Sequence, residues 1–175
     1  MILYFLRHAS AGPHASNPAK DAKRPLDDDG IAQCGLMGKT MSALNVHLDA
    51  VISSPLKRAV QTAAAVCNEL GFEGKLRLDS SLAPEGTFES FQQMLSEFGE
   101  QEAVMVVGHN PNLSEYLGKL VGGRSAARIE LKKGAVAKVE FQRRHSYLEW
   151  CFTPKLVRAV QASVTTSSRP KMPRK

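Results

Sequence analysis

Short apolar runs, separated by longer amphipathic stretches, set the pattern of this chain. Six of them predict β-strands, at residues 2–7, 49–54, 75–79, 103–108, 135–141 and 147–152. The runs at 2–6 and 104–107 are almost continuously apolar, which is typical of central parallel strands covered on both faces. The last two strands alternate apolar and polar residues, which favours antiparallel or edge strands joined by the polar turn RRHS at 143–146.

The stretches between the strands have helical periodicity. One helix is expected after Asp27, a suitable N-cap followed by acids that favour a first turn. A second is expected with Ser54 as its N-cap and Pro55 at its first position. Two more helices are predicted at 88–98 and 112–122. Strands that alternate with helices predict a layered α/β fold. Residues 9–26 have no periodicity, and a long loop directly after a central strand is usually functional or disordered.

Size and charge indicate one domain with a basic tail. At 175 residues the chain fits a single domain, for which we expect residues 1–160. The tail at 161–175 is rich in Ser, Thr and Pro, contains no acid and is expected to be disordered. The net charge is +6, but it is +2 without four basic side chains of the tail, Arg169, Lys171, Arg174 and Lys175. The tail has no interleaved aromatic residues for stacking on bases, which argues against a nucleic-acid partner.

Cysteine content and the length of the apolar runs bear on the cellular compartment. Cys34, Cys67 and Cys151 are odd in number and lack metal-ligand spacing, so we expect reduced thiols in a cytoplasmic protein. The apolar start at residues 1–6 lacks the basic region of a secretory signal and is better explained as a core strand. No apolar run approaches the ~20 residues of a membrane helix, so no membrane partner is expected.

Polar side chains follow three of the predicted strands. Arg7 and His8 end the first strand, Arg58 lies in the helix after the second, and His109 follows the strand at 103–108. In open α/β sheets, ligands bind beyond the carboxyl ends of the parallel strands. Each residue alone has an ordinary structural explanation, but two arginines and two histidines in one crevice suit a phosphoryl group. The arginines would bind oxygens of the anion, and one histidine could attack the phosphorus.

Three motifs carry a resemblance to a known family. RHA at 7–9 resembles the RHG signature of the histidine phosphatase (phosphoglycerate mutase-like) superfamily, with Ala9 in place of glycine. SSPLKRAVQTA at 53–63 and GHNP at 108–111 are similar to its second motif and its downstream histidine motif. Four further segments resemble the SixA-type phosphohistidine phosphatases: KRPLDDDG at 23–30, LAP at 82–84, KKGAVAKVEF at 132–141 and W-x-x-x-P at 150–154. Together the resemblance spans residues 1–158.

The resemblance implies a fold and a set of core site residues. The fold is a phosphoglycerate mutase-like, three-layer α/β/α sandwich with a central, mostly parallel sheet. His8 is the nucleophile and forms a phosphohistidine intermediate. Arg7, Arg58 and His109 bind the three phosphoryl oxygens on which charge is spread in the transition state.

Three further residues are candidates for the site. Asn110 is expected near the phosphate, and Arg24 is a further phosphate contact or else a surface arginine before a proline. Glu85 directly follows LAP and is the best-placed proton donor for the leaving group, or else a solvated loop acid. No metal or other cofactor is expected, because guanidinium groups supply the positive charge and helix capping accounts for the acids at 27–29.

The resemblance favours a phosphatase that acts on phosphohistidine in proteins. An imidazole leaves readily once its distal nitrogen is protonated, so this substrate fits a chain without an obvious strong acid. A small phosphorylated metabolite is the alternative substrate. A phosphate-binding module without turnover is a third possibility, and the presence of all four core residues argues against it. A mutase is disfavoured because the chain is too short for insertions that would retain a phosphorylated intermediate.

Overall fold

A six-stranded sheet forms the centre of the computed structural model, which describes residues 1–123, 127–142 and 146–167. Its strands are β1 (Ile2–Arg7), β2 (Ala50–Ser53), β3 (Leu76–Leu78), β4 (Ala103–Gly108), β5 (Val136–Glu140) and β6 (Tyr147–Phe152). They lie in the order β3-β2-β4-β1-β5-β6. The first four strands pair in parallel, β5 pairs antiparallel with β1, and β6 pairs antiparallel with β5. The predicted mostly parallel sheet is therefore confirmed. Residues 143–145 of the predicted RRHS turn lie outside the described ranges.

Helices cover both faces of this sheet. They are α1 (Pro18–Ala22), α2 (Asp28–Ala43), α3 (Lys57–Leu70), α4 (Phe88–Ser96), α5 (Asn112–Gly122) and α6 (Pro154–Ser167), with a 3₁₀ turn at Ser80–Leu82. On one face, Phe91 of α4 and Leu117 of α5 share a buried cluster with Phe5 of β1. On the other, α2, α3 and α6 contribute to a cluster that contains Leu6 of β1. Because β1 is buried on both faces, its apolar run is continuous, and the three-layer α/β/α sandwich is confirmed.

The loop after β1 is held against the start of α2. Asp27 is the N-cap of α2, as predicted, and its Oδ1 accepts a hydrogen bond from the Gly30 amide at 2.8 Å. Its Oδ2 accepts hydrogen bonds from the Ser10 hydroxyl at 2.8 Å and from the Gly12 amide at 2.7 Å. A β-carbon at Gly30 would collide with the Ser10 carbonyl oxygen, so the helix can approach the loop this closely only with glycine there. The segment KRPLDDDG therefore fixes the backbone that follows His8.

The start of α3 differs from the prediction. The helix begins at Lys57 with Leu56 at the cap position, so Ser54 is not its N-cap. The Ser54 amide donates to the Val107 carbonyl of β4 at 2.9 Å, so its backbone continues the pairing of β2 with β4. The Ser54 hydroxyl accepts a hydrogen bond from the Leu56 amide at 3.3 Å and is left at the carboxyl end of β2.

The last helix, α6, was not predicted, and it continues to Ser167, into the tail that was expected to be disordered from residue 161. Val157 of α6 is buried in the apolar cluster to which α2 also contributes. Because this contact anchors the first turns of α6 on the core, the helix that begins at Pro154 continues past residue 161. Residues 168–175 of the predicted tail lie outside the described ranges. Within those ranges no helix has both the length and the apolar character needed to cross a bilayer.

Candidate active site

The carboxyl ends of three neighbouring strands meet at one edge of the sheet. In the parallel register, Arg7 of β1 lies beside Gly108 of β4, and Ser53 of β2 lies beside Val107 of β4. The residues that directly follow these strands therefore lie at the same edge: His8, Ser54 and His109. The ring centroids of the two histidines are 4.8 Å apart. The structure thus brings together groups that are about fifty or a hundred positions apart in the chain.

His8 is held as a neutral imidazole with one defined tautomer. Its Nδ1 lies 2.7 Å from the Ala9 carbonyl oxygen, which can only accept, so the proton is on Nδ1 and Nε2 keeps its lone pair. Burial lowers the pKa of His8 to about 3, against the effect of the Ala9 hydrogen bond, and the positive charges of Arg58 and Arg7 add to the lowering. At neutral pH this residue has the uncharged nitrogen that a nucleophile requires.

His109 is buried beside His8 and makes a hydrogen bond through one of its two ring nitrogens. Its Nε2 lies 2.9 Å from the Ser54 hydroxyl oxygen, which can donate or accept according to the tautomer of the ring. Its Nδ1 is buried and has no hydrogen-bond partner among the described residues. Burial lowers the pKa of His109 to about 2, and His8 and Arg58 add to the lowering. The ring is therefore neutral at neutral pH, and the hydrogen-bonding capacity of Nδ1 is not used by any described residue.

The two arginines are each anchored through one terminal nitrogen. Arg7 Nη1 donates to the Leu131 carbonyl at 2.8 Å, and Arg58 Nη1 donates to the Asp21 carbonyl at 2.9 Å. The Nε of both side chains is buried and unpaired among the described residues. Burial lowers the pKa of both guanidinium groups, but an arginine remains charged in proteins. Buried donors normally find partners, so unpaired cationic donors beside His8 form a site that suits a phosphate-like anion.

Two supporting residues were not singled out from the sequence. The Thr62 hydroxyl accepts a hydrogen bond from the Ala9 amide at 3.1 Å and donates to the Arg58 carbonyl at 2.7 Å. Gln61 Oε1 accepts from the Leu26 amide at 2.9 Å. Both belong to SSPLKRAVQTA, so the motif that supplies Arg58 also ties α3 to the loop after His8. The motif itself is the signal that could have identified both residues.

Arg24 and Asn110 make contacts within the protein. Arg24 donates to the Ala11 and Gly12 carbonyls at 2.6 and 2.9 Å, so it stabilises the loop after β1. Asn110 Nδ2 donates to the Leu131 carbonyl at 2.9 Å, the same oxygen that anchors Arg7. Their predicted phosphate contacts remain predictions, and both residues help to shape the backbone around the site.

Glu85 lies on the surface after the 3₁₀ turn. Its side chain is exposed and has no hydrogen bond or ion pair with any residue in the described ranges, so none of those residues fixes the direction of its carboxyl group. The neighbouring residues are more constrained, because Asn112 Nδ2 donates to the Pro84 and Gly86 carbonyls at 2.9 and 2.8 Å. The predicted role of Glu85 as proton donor remains a prediction.

The buried neutral histidines predict a loss of stability in mild acid. In the unfolded chain a histidine has a pKa of about 6.5, whereas His8 and His109 in the folded chain have pKa values of about 3 and about 2. Below pH 6.5 the unfolded state therefore binds more protons. The free energy of unfolding is expected to be highest above that pH and to fall by up to about 1.4 kcal/mol per pH unit for each histidine. Urea unfolding at about pH 7 and about pH 5 in phosphate-free buffer measures this slope.

His109→Gln is the variant that isolates the effect, since it removes one of the two titrating groups. We expect its free energy of unfolding to fall less steeply between the two pH values than that of the wild type. His47→Gln changes an exposed histidine outside the site and serves as the matched control. An equal slope in the wild type and in His109→Gln would contradict the prediction.

Comparisons with known proteins agree with this geometry. The model of the histidine phosphatase superfamily (branch 1) matches residues 3–84, which contain His8 and Arg58. An uncharacterized protein of Picosynechococcus sp. is 33% identical over 144 residues, covering 78% of this chain and 82% of the relative. The chain belongs to the histidine phosphatase superfamily, and this membership supports a phosphatase.

Within the superfamily, the similarity lies with SixA-type members. The phosphohistidine phosphatase SixA of Escherichia coli is 27% identical over 128 residues, covering 71% of this chain and 77% of that protein. A solved structure of the protein histidine phosphatase SixA complexed with tungstate has a TM-score of 0.77 at 24% identity, covering 89% of this chain and 98% of that one. The resemblance and the fold inferred from the motifs are both confirmed.

Proposed function

We propose that this protein hydrolyses phosphohistidine in other proteins, with His8 as the nucleophile. The observation that carries the proposal is the single tautomer of His8, which leaves Nε2 its lone pair. Arg7 and Arg58 are close enough for their charges to lower the pKa of His8, and the Nε of each is without a partner among the described residues. The similarity to SixA of E. coli, a phosphohistidine phosphatase by name, supports this choice of substrate.

The proposed reaction has two displacements at phosphorus. In the first, Nε2 of His8 forms a bond to phosphorus while the bond from phosphorus to the substrate imidazole breaks, and the departing imidazole is neutral because its distal nitrogen carries a proton. In the second, water forms a bond to phosphorus, His8 leaves as a neutral imidazole, and inorganic phosphate takes up the oxygen of the water. Arg7, Arg58 and His109 bind the phosphoryl oxygens in both steps.

The exposed position of Glu85 supports a phosphohistidine substrate over a phosphoester. An alkoxide leaving group needs a proton donor, and a well-placed general acid is typically worth about 10²- to 10⁴-fold in rate. Glu85 is exposed, and no residue in the described ranges holds its carboxyl group in a position facing His8. A protonated imidazole needs no such help, so the proposed substrate fits the groups that are present.

A groove beside the site offers room for a polypeptide. It has a volume of about 610 Å³ and is lined by residues at the start of α5 and in the segment before Leu131, among them Asn110, Pro111, Ser114 and Ile129. Asn110 directly follows His109 in the chain, so the groove adjoins the site, although none of the four core residues lines it. A phosphohistidine on the surface of a folded protein could present its neighbouring residues to this groove.

A substrate panel tests the proposed function. Turnover of a phosphohistidine protein is expected to exceed turnover of sugar phosphates, nucleotides and p-nitrophenyl phosphate by at least about tenfold in kcat/KM. Glu85→Gln is expected to leave the phosphohistidine reaction unchanged, because the imidazole leaving group does not need its proton. Faster turnover of a small ester, together with its loss in Glu85→Gln, would identify the protein as a small-molecule phosphatase instead.

A further inference from the structure

A carboxylate from the loop after β1 contacts a core residue of the site. Asp21 lies on α1, the five-residue helix within that loop. Its Oδ2 forms an ion pair with Nη1 of Arg58 at 3.2 Å, and its backbone carbonyl accepts a hydrogen bond from the same nitrogen at 2.9 Å. The side chains are 15% and 4% exposed, so this pair is largely screened from solvent. Nothing in the motifs assigns a role to Asp21.

The second carboxylate oxygen fixes Asp21 in turn. Oδ1 accepts a hydrogen bond from Arg24 Nε at 2.9 Å and another from the Ala15 amide at 3.1 Å. The hydrogen bond from Arg24 holds the pKa of Asp21 well below its usual range, against a smaller opposing effect of burial, and the Ala15 amide and the charge of Arg58 add to the lowering. Asp21 is therefore ionised, and both of its oxygens are engaged. A proton donor would need a protonated and mobile carboxyl group, so Asp21 does not fit that role.

The anchoring of Arg58 matches that of Arg7. Each guanidinium is held through Nη1, and each has a buried Nε that has no partner among the residues that the structure describes. A guanidinium is planar and rigid, so a contact that fixes one terminal nitrogen also fixes the direction of the other donors. The anchor of Arg7 is the neutral Leu131 carbonyl, whereas the anchor of Arg58 includes a full negative charge.

We propose that Asp21 is a positioning residue for Arg58, which it orients so that the remaining edge of the guanidinium binds the phosphoryl oxygens. This inference rests on the proposed function, because it takes Arg58 as a phosphate-binding group. It makes α1 a functional part of the loop after β1. An exposed ion pair such as Lys132 with Glu130 contributes little, but the burial of the pair with Arg58 leaves few other positions for either side chain.

A double-mutant cycle between Asp21 and Arg58 tests the inference. Asp21→Asn keeps the size of the side chain and removes its charge, and it is expected to weaken both kcat/KM and inhibition by tungstate about tenfold. Arg58→Lys removes the planar fork that Asp21 orients. In the Arg58→Lys background the same Asp21→Asn change is expected to have less than about a threefold effect. A merely structural role would give the same factor in both backgrounds.

Two controls complete the experiment. Asp49→Asn removes an equivalent charge at the amino end of β2, opposite the site, and is expected to leave tungstate inhibition unchanged. Asp21→Glu keeps the charge but shifts the carboxylate by one methylene. It replaces Asp21→Asn in the inhibition measurement if that variant does not fold. Weaker tungstate inhibition at an unchanged melting temperature is expected for it as well.

Each outcome separates the inference from the proposed function. Unchanged tungstate inhibition in both Asp21 variants, or full additivity with Arg58→Lys, overturns the positioning role while the phosphatase stands. A wild type that neither hydrolyses phosphohistidine nor binds tungstate by calorimetry overturns the proposed function itself, and the positioning role with it.

Discussion

Replacement of His8 by alanine is expected to reduce phosphate release by about 10⁴-fold or more, to the level of the background reaction. The variant lacks the nitrogen that forms the bond to phosphorus in the proposed reaction. His109 lies beside His8, with 4.8 Å between the ring centroids, but in the proposed reaction it binds the phosphoryl oxygens and does not attack phosphorus. The measurement is release of inorganic phosphate from a phosphohistidine protein in the presence of EDTA, so that no added metal contributes.

The same variant tests the covalent intermediate. Wild-type protein that is mixed with labelled substrate and quenched without acid is expected to carry label on His8, and the alanine variant is expected to carry none. His47→Ala removes an exposed histidine outside the site and should retain both activity and label. Full activity of His8→Ala would eliminate the mechanism, and label that persists in that variant would place the intermediate on another residue.

The positions of His8, Arg58 and His109 could be predicted because they depend on the simplest feature of the fold. Parallel strands end at the same edge of a sheet, so residues that follow such strands converge without any long-range information. The continuous apolar runs of β1 and β4 identified them as central strands, and they are adjacent in the sheet. The polar residues after these two strands are therefore neighbours in space.

The contacts that orient those residues could not be predicted in the same way. Asp21 lies in a stretch without periodicity, and its contact with Arg58 spans 37 positions of the chain. Ser54 had the sequence pattern of an N-cap, but the hydrogen bond from its amide to β4 places it directly after β2. Side-chain partners of this kind depend on how loops pack, and neither periodicity nor capping patterns describe that packing.

The tail shows that amino-acid composition alone does not predict where a disordered segment begins. Its Ser, Thr and basic residues predicted disorder from residue 161, because such sequences bury little apolar surface. α6 nevertheless continues to Ser167. Its buried Val157 lies before the tail and anchors the helix on the core, so the residues that follow extend an existing helix instead of nucleating a new one. Composition describes an isolated segment, whereas the start of α6 lies within the folded domain.

Replacement of Arg58 by alanine is expected to lower kcat/KM by about 10²- to 10³-fold. The variant loses a fixed, forked donor for the phosphoryl oxygens. It also leaves the Asp21 carboxylate without its partner at the site, where a negative charge repels the incoming anion. Arg58→Lys restores the positive charge but not the planar fork, so it should recover only part of the activity. Steady-state kinetics with a phosphohistidine protein measure both effects.

Arg158→Ala is the matched control for this loss. Arg158 lies on α6, is 48% exposed and pairs with Asp29 at 3.0 Å on the surface, so its removal should leave kcat/KM unchanged.

If the repulsion from Asp21 contributes, Asp21→Asn should partly restore activity in the Arg58→Ala background, although it lowers activity when Arg58 is present. This reversal of sign is expected only if the two charges act on the same anion. Activity of Arg58→Ala close to that of the wild type would exclude Arg58 from phosphate binding.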